Sequence, residues 1–248
     1  LAELAELTGR NVILYYSGWL QKPNVDGISV NDDDKNGFMT VIHKLDPKKG
    51  LDLVLHTPGG GTAATESIVD YLRSIFGSDI RALVPQLAMS AGTMIACSCK
   101  RIVMGLHSSL GPIDPQFNGI PAHGVVEEFE RAVEEIKLDS ARIPVWQTIL
   151  AKYHPTLIGE CEKSIDWSKE MVSEWLRSGM FLGEGPEEKV EKLISNIVEE
   201  LNDHASSKSH DRHLSLAKCK ALGLKVDVLE EDESLQDALL SVHHATMH

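Results

Sequence analysis

The first half of the chain alternates between short apolar runs and helix-spaced segments, and no other feature restricts its fold as much. Asn11–Tyr16 is an apolar and aromatic run of strand length. A loop over Lys22–Lys35, with Pro, Gly and the acidic run Asp32-Asp33-Asp34, leads to a helix over Gly37–Leu45. Leu51–Leu55 reads as a second buried strand, stopped sharply by Thr57-Pro58-Gly59-Gly60-Gly61. Thr62–Phe76 carries Ile68, Val69, Leu72 and Ile75 at helical spacing. Ile80–Val84 is a third strand, Ser90–Ala96 a helix after a turn at Gln86–Met89, and Arg101–Met104 a fourth strand. Strict alternation of this kind predicts an α/β fold: a parallel sheet covered by helices, with right-handed crossovers.

Beyond Pro121 the pattern becomes helical, over Val125–Asp139, Pro144–Tyr153, Thr156–Arg177 and Pro186–Asn202. Asp203–His213 is polar, and Leu214–Leu222 and Leu235–His243 predict closing helices around a short strand at Lys225–Leu229. The economical division is an α/β core over 1–120 and a helical region over 121–248 that completes the same domain. A chain of 248 residues buries a sizeable core without staples. Its formal charge of −13 repels phosphate, which argues against nucleic acid and against an anionic membrane surface. Cys97, Cys99, Cys161 and Cys219 fit no zinc or disulfide framework and read as reduced, buried thiols of an intracellular protein. No apolar run reaches the roughly 18 residues of a membrane span. The chain begins at Leu1 rather than at Met, so a preceding segment, even an anchor, stays open.

Two segments carry chemistry. The strand ending in Thr57-Pro58-Gly59-Gly60 exposes backbone N–H groups where glycines allow close approach to a ligand. Such groups can receive an oxyanion, although a structural tight turn uses the same residues. Its spacing fits neither phosphate-binding glycine pattern. In Ala88-Met89-Ser90-Ala91-Gly92, a serine starts a helix and lies in the positive end of its dipole. A plain N-cap would place a serine there too. Both segments follow parallel strands, so they share the sheet edge where α/β proteins place ligands.

These two motifs, with Ser108-Ser109-Leu110-Gly111-Pro112-Ile113-Asp114-Pro115-Gln116, resemble the ClpP-class serine peptidases. That class includes signal peptide peptidase A and the Clp proteolytic subunit. Within it the chain looks most like the prokaryotic serine dehydrogenase proteinases, and the likeness covers nearly its whole length. The resemblance implies a ClpP/crotonase fold, a spiral of ββα units. It implies Ser90 as nucleophile and the backbone N–H groups of Gly59 and Ala91 as oxyanion hole. It implies an extended groove at Gly60 and Gly61 that binds a peptide as an added strand. It also implies a homo-oligomer; no cofactor and no metal are expected. The group's name does not imply NAD chemistry, since no dinucleotide fingerprint occurs.

A serine needs a base. Lys137 matches the helical lysine of the Ser–Lys dyad in the signal peptide peptidase group. With Val133 one turn before it, its stem would share an apolar face, and burial would lower its pKa. A surface pair with Glu134 is the plain reading of the same residue. His107, after the strand Arg101–Met104, is the alternative base, with Asp114 as a carboxylate to orient it. It lies closer in sequence to its serine than the Clp histidine does. His56 reads as a hydrogen-bonded residue at a strand end. His204, His210 and His213 match no zinc spacing and read as part of a soluble linker. His243, His244 and His248 read as part of a terminal helix packed on the core or a neighbouring subunit.

The expected activity is therefore a serine endopeptidase acting on peptides or unfolded polypeptides, cytoplasmic or membrane-associated through a preceding segment. A crotonase-like acyl-CoA enzyme and an inactive assembly module are the alternatives. The first lacks a visible basic site for CoA phosphates.

Overall fold

The computed structural model describes residues 1–117, 119–202 and 209–247. Its centre is a parallel sheet of β1 (Asn11–Tyr16), β2 (Leu51–His56), β3 (Ile80–Val84), β5 (Arg101–Met104) and β10 (Val226–Val228), paired in that order. β2 lies inside this sheet and is buried at every residue, Asp52 and His56 included. The pleat divides its side chains between two cores. Leu51, Leu53 and Leu55 join the larger cluster, and Val54 joins the smaller one on the opposite face.

The larger core is covered by α2 (Asp33–Ile42), α3 (Thr62–Phe76), α4 (Ala91–Cys97), α7 (Leu157–Trp175) and α8 (Glu187–Asn202). α9 (Leu216–Leu222) closes it through Leu216 and Cys219. The other face is covered by α1 (Ala2–Thr8), through Leu4, and α10 (Glu233–Met247), through Leu235, Ala238 and Leu239. α5 (Ala122–Leu138) and α6 (Ile143–Leu150) stand further out. α5 packs on α7 through Ala122, Val125, Cys161 and Ile165. The C-terminal half thus supplies both core helices and an edge strand of the main sheet.

A second, smaller sheet joins β4 (Leu87–Ala88), β6 (Ser109–Leu110) and β9 (Leu214–Ser215). β4 and β6 are parallel, β6 and β9 antiparallel. A hairpin pairs β7 (Gln116–Phe117) with β8 (Ile120–Pro121).

Several expected elements shift. α2 starts at Asp33 rather than Gly37, because the acidic run forms its first turn, where carboxylates meet the positive end of the helix dipole. The turn expected at Gln86–Met89 contains β4, and α1 was not expected at all. At the start of β2, the buried Asp52 carboxylate takes Arg10 Nε at 2.7 Å and Arg81 Nε at 2.8 Å and Nη2 at 2.6 Å. All four cysteines are free and buried. Burial pushes the Cys99 and Cys219 thiols up to about 12. Among the described residues no helix is long and apolar enough to cross a membrane.

Candidate active site

The Pro-Gly-Gly turn and the Ser90 loop are joined by backbone bonds. Thr57 N–H donates to Leu87 O at 3.0 Å, and Met89 N–H returns a bond to Thr57 O at 3.0 Å. Gly92 lets the pieces close up: a Cβ there would stand 2.5 Å from Thr57 Cγ2. Thr93 Oγ1 donates to Ala88 O at 2.8 Å and accepts Gly111 N–H at 2.8 Å, so the Ser108–Gln116 run wraps the same loop.

Ser90 then sits in an unusual conformation. Its φ of 51° makes it the only non-glycine residue with positive φ among those described. Such a position costs roughly 1–3 kcal/mol and persists only where its surroundings fix it. Ser90 occupies the N-cap position of α4, yet its side chain makes no capping hydrogen bond. Capping therefore does not account for this serine. A strained serine on a sharp turn from strand to helix, with its hydroxyl left out of the cap, is the geometry of a nucleophile elbow.

Gly59 presses on that turn. At φ 99°, it would place a Cβ 2.6 Å from Ser90 Cβ and 3.0 Å from the Ala91 nitrogen. The expected oxyanion donors, Gly59 and Ala91, are thus neighbours across the turn. They are not equally available: Gly59 N–H donates to Thr57 Oγ1 at 3.1 Å, whereas Ala91 is the first residue of α4. The expected substrate edge is half occupied. Val30 N–H donates to Gly59 O and Val30 O accepts Gly61 N–H, each at 2.8 Å. This bridge leaves the amide and carbonyl of Gly60 directed to the other side.

A cavity of about 340 Å³ opens over these groups, lined among others by Gly60, Ser90, Ala91, Gln116, Trp167 and His210. Neither expected base lines it. Lys137 lies near the end of α5 with its side chain 64% exposed and its ammonium 2.8 Å from Glu134 Oε1. The apolar face that was to bury it is open, for Val133 is itself exposed. His107 is 44% exposed and faces Glu230, with Nδ1 at 3.8 Å from Oε1.

The carboxylate expected to orient His107 is engaged elsewhere. Asp114 is buried, takes the Gln116 amide at 2.9 Å, and holds His210 Nδ1 at 2.7 Å. His210, read from the sequence as part of a soluble linker, is therefore packed into the site. A histidine spaced without period from its partner gives no local signal. His204 lies outside the described residues. Those described contain no group of three or more His, Cys, Asp or Glu placed to hold a metal ion.

His56 is buried at the end of β2, where Leu87 N–H donates to its Nδ1 at 3.3 Å, as expected of a hydrogen-bonded strand end. Its ring stacks near Trp19 at 4.5 Å and Tyr16 at 5.0 Å. Burial foremost, and then His243, push it down to about 4. His243 in turn meets Tyr16 Oη through Nδ1 at 2.8 Å, which anchors α10 to the core.

Comparison with known proteins gives the family. The chain matches the family described as ClpP-like SDH-type serine proteinase over residues 18–240. Uncharacterized protein MJ0137 of Methanocaldococcus jannaschii is 31% identical over 201 residues, covering 81% of this chain and 62% of that protein. Uncharacterized protein MJ1495 of the same organism is 28% identical over 195 residues, covering 79% and 58%. The chain thus spans less than two thirds of either relative. A solved structure, a mutant of the 1510-N membrane-bound stomatin-specific protease, aligns over 54% of this chain and 66% of its own at 21% identity, with a TM-score of 0.34. By the match over residues 18–240, the chain belongs to the ClpP-like SDH-type serine proteinases.

Proposed function

We propose that this chain is a serine endopeptidase that hydrolyses extended polypeptides through an acyl-enzyme on Ser90. The observation that carries the reading is Ser90 itself, held at φ 51° beside Gly59 with its hydroxyl not used as a helix cap. Ser90 Oγ attacks the scissile carbonyl. The carbonyl oxygen, now negative, is received by Ala91 N–H and by Gly59 N–H, the latter sharing or leaving its bond to Thr57 Oγ1. The substrate backbone pairs with the free side of Gly60 as an added strand. Lys137 would serve as base only after leaving Glu134 and turning into the cavity. Self-association is part of the proposal, through the exposed apolar residues Val133, Leu138, Ile143 and Val145 of the α5–α6 arm. Sedimentation of the wild type against Leu138→Glu tests it.

The catalytic reading is tested by intact-mass detection of a fluorophosphonate adduct and by cleavage of a peptide library. Adduct and cleavage are expected in the wild type and absent in Ser90→Ala. A folded wild type that shows neither overturns the reading.

A further inference from the structure

We infer that the base for Ser90 is His210, oriented by the buried Asp114, so that the site is a Ser90–His210–Asp114 triad. This rests on the acyl-enzyme reading and names the residue that activates its nucleophile.

The pairing has a structural cause. β6 and β9 run antiparallel, with Leu110 opposite Leu214. Asp114 follows Leu110 by as many residues as His210 precedes Leu214, and both segments leave the same end of this strand pair. The two side chains meet at 2.7 Å, Nδ1 to Oδ1. The Asp114 side chain is fully buried, and its second oxygen takes the Gln116 amide at 2.9 Å. A buried carboxylate so held accepts Nδ1–H and fixes the tautomer in which Nε2 carries the lone pair. The His210 side chain is 23% exposed and lines the cavity that Ser90 also lines. Lys137 and His107 have neither feature: each faces a glutamate away from that cavity.

The chemistry balances on these groups. As Ser90 Oγ bonds to the carbonyl carbon, Nε2 takes the hydroxyl proton and the C=O pair moves to oxygen. On collapse the C–N bond breaks, and Nε2–H delivers its proton to the departing amine. Water then attacks the ester, gives a proton to Nε2, and Ser90 Oγ recovers it as the acid leaves. The chain order, serine, then aspartate, then histidine, places the base on the segment after α8.

The test is the rate of fluorophosphonate labelling at Ser90 in the full chain. We compare wild type, His210→Ala, His210→Gln, Asp114→Asn and Lys137→Ala, with thermal unfolding to confirm folding. His210→Gln keeps a side chain able to donate to Asp114 but carries no base. Both His210 variants are expected to label about 10²–10⁴-fold more slowly. Added imidazole should raise the rate in His210→Ala and not in Ser90→Ala, a response that a merely structural role would not give. Asp114 acts through His210 as a positioning residue, and imidazole should not rescue Asp114→Asn. Wild-type labelling rates in folded His210→Ala and His210→Gln overturn the triad while leaving the acyl-enzyme intact. So does loss of labelling in Lys137→Ala with retention in His210→Gln. A folded wild type that does not label overturns the acyl-enzyme reading, and the base falls with it.

Discussion

Gly59→Ala separates the two demands that the turn makes on its backbone. The first is conformational: at φ 99° an L side chain is strained, by roughly 1–2 kcal/mol. The second is steric. The new Cβ would lie 2.6 Å from Ser90 Cβ and 2.8 Å from Met89 O, against about 3.5–4.0 Å for carbon atoms in contact. Neither neighbour is the free end of a flexible side chain, so the Ser90 turn itself must move by about 1 Å, a strain of about 1–3 kcal/mol. Together the terms predict a loss of about 2–5 kcal/mol. Gly77→Ala is the control, since Gly77 has φ 60° but nothing near its absent Cβ, and it should lose only the first term. A displacement of about 1 Å at the nucleophile also costs about 10²-fold in rate. Urea unfolding gives the stabilities, and fluorophosphonate labelling under conditions where each variant is folded gives the rates. If Gly59→Ala matches Gly77→Ala in stability and labels as fast as wild type, the contact between the glycine turn and the serine does not set the site.

Three other outcomes follow from particular contacts. His56 titrates at 6.5 in an unfolded chain but is pushed down to about 4 here, so between those values the unfolded chain holds a proton that the folded one refuses. Its contribution to stability is complete above pH 6.5 and falls by about 3 kcal/mol as pH drops to 4. Urea midpoints measured across that window should flatten in His56→Asn. Asp52→Ala removes the shared partner of Arg10 and Arg81 and should cost about 3 kcal/mol by urea unfolding, whereas Lys137→Ala, losing only an exposed pair, should change stability by less than about 0.5 kcal/mol. The thiols should react with an aromatic disulfide reagent no faster than the chain opens, since all four are buried; rapid modification of Cys99 in the native protein would contradict that burial.

The parts of the fold readable in the sequence are those with a period of their own. Thr62–Phe76, Ile80–Val84 and Arg101–Met104 have the bounds expected of them, because each carries enough apolar residues to show its spacing. α1 gives no such signal in the sequence, since it is short and buries a single residue, Leu4. β4, β6 and β9 give none because a strand of two residues cannot display alternation. Ser90 and the glycine turn were legible through residue type: small residues and glycines leave few readings. Lys137 illustrates the opposite case. Helical spacing places it on α5 and says nothing about whether that face has a neighbour; the apolar Val133 suggested one, and the face is open to solvent.

The smaller sheet explains why the serine and the histidine line one cavity although the sequence separates them. Parallel strands deliver the Pro-Gly-Gly turn and the Ser90 turn to one sheet edge, which accounts for the nucleophile and the oxyanion donors. β5 ends at that edge too, and the chain beyond it carries β6 and then Asp114. Here β9 returns antiparallel along β6, and that pairing brings the segment before Leu214 to the end where the chain leaves Leu110. Asp114 then needs a partner, because a buried carboxylate left alone costs several kcal/mol. The segment before β9 offers it His210. The Asp114–His210 hydrogen bond and the place of His210 on the cavity wall therefore have one structural origin. Losing the β6–β9 pairing would unmake both without touching either side chain.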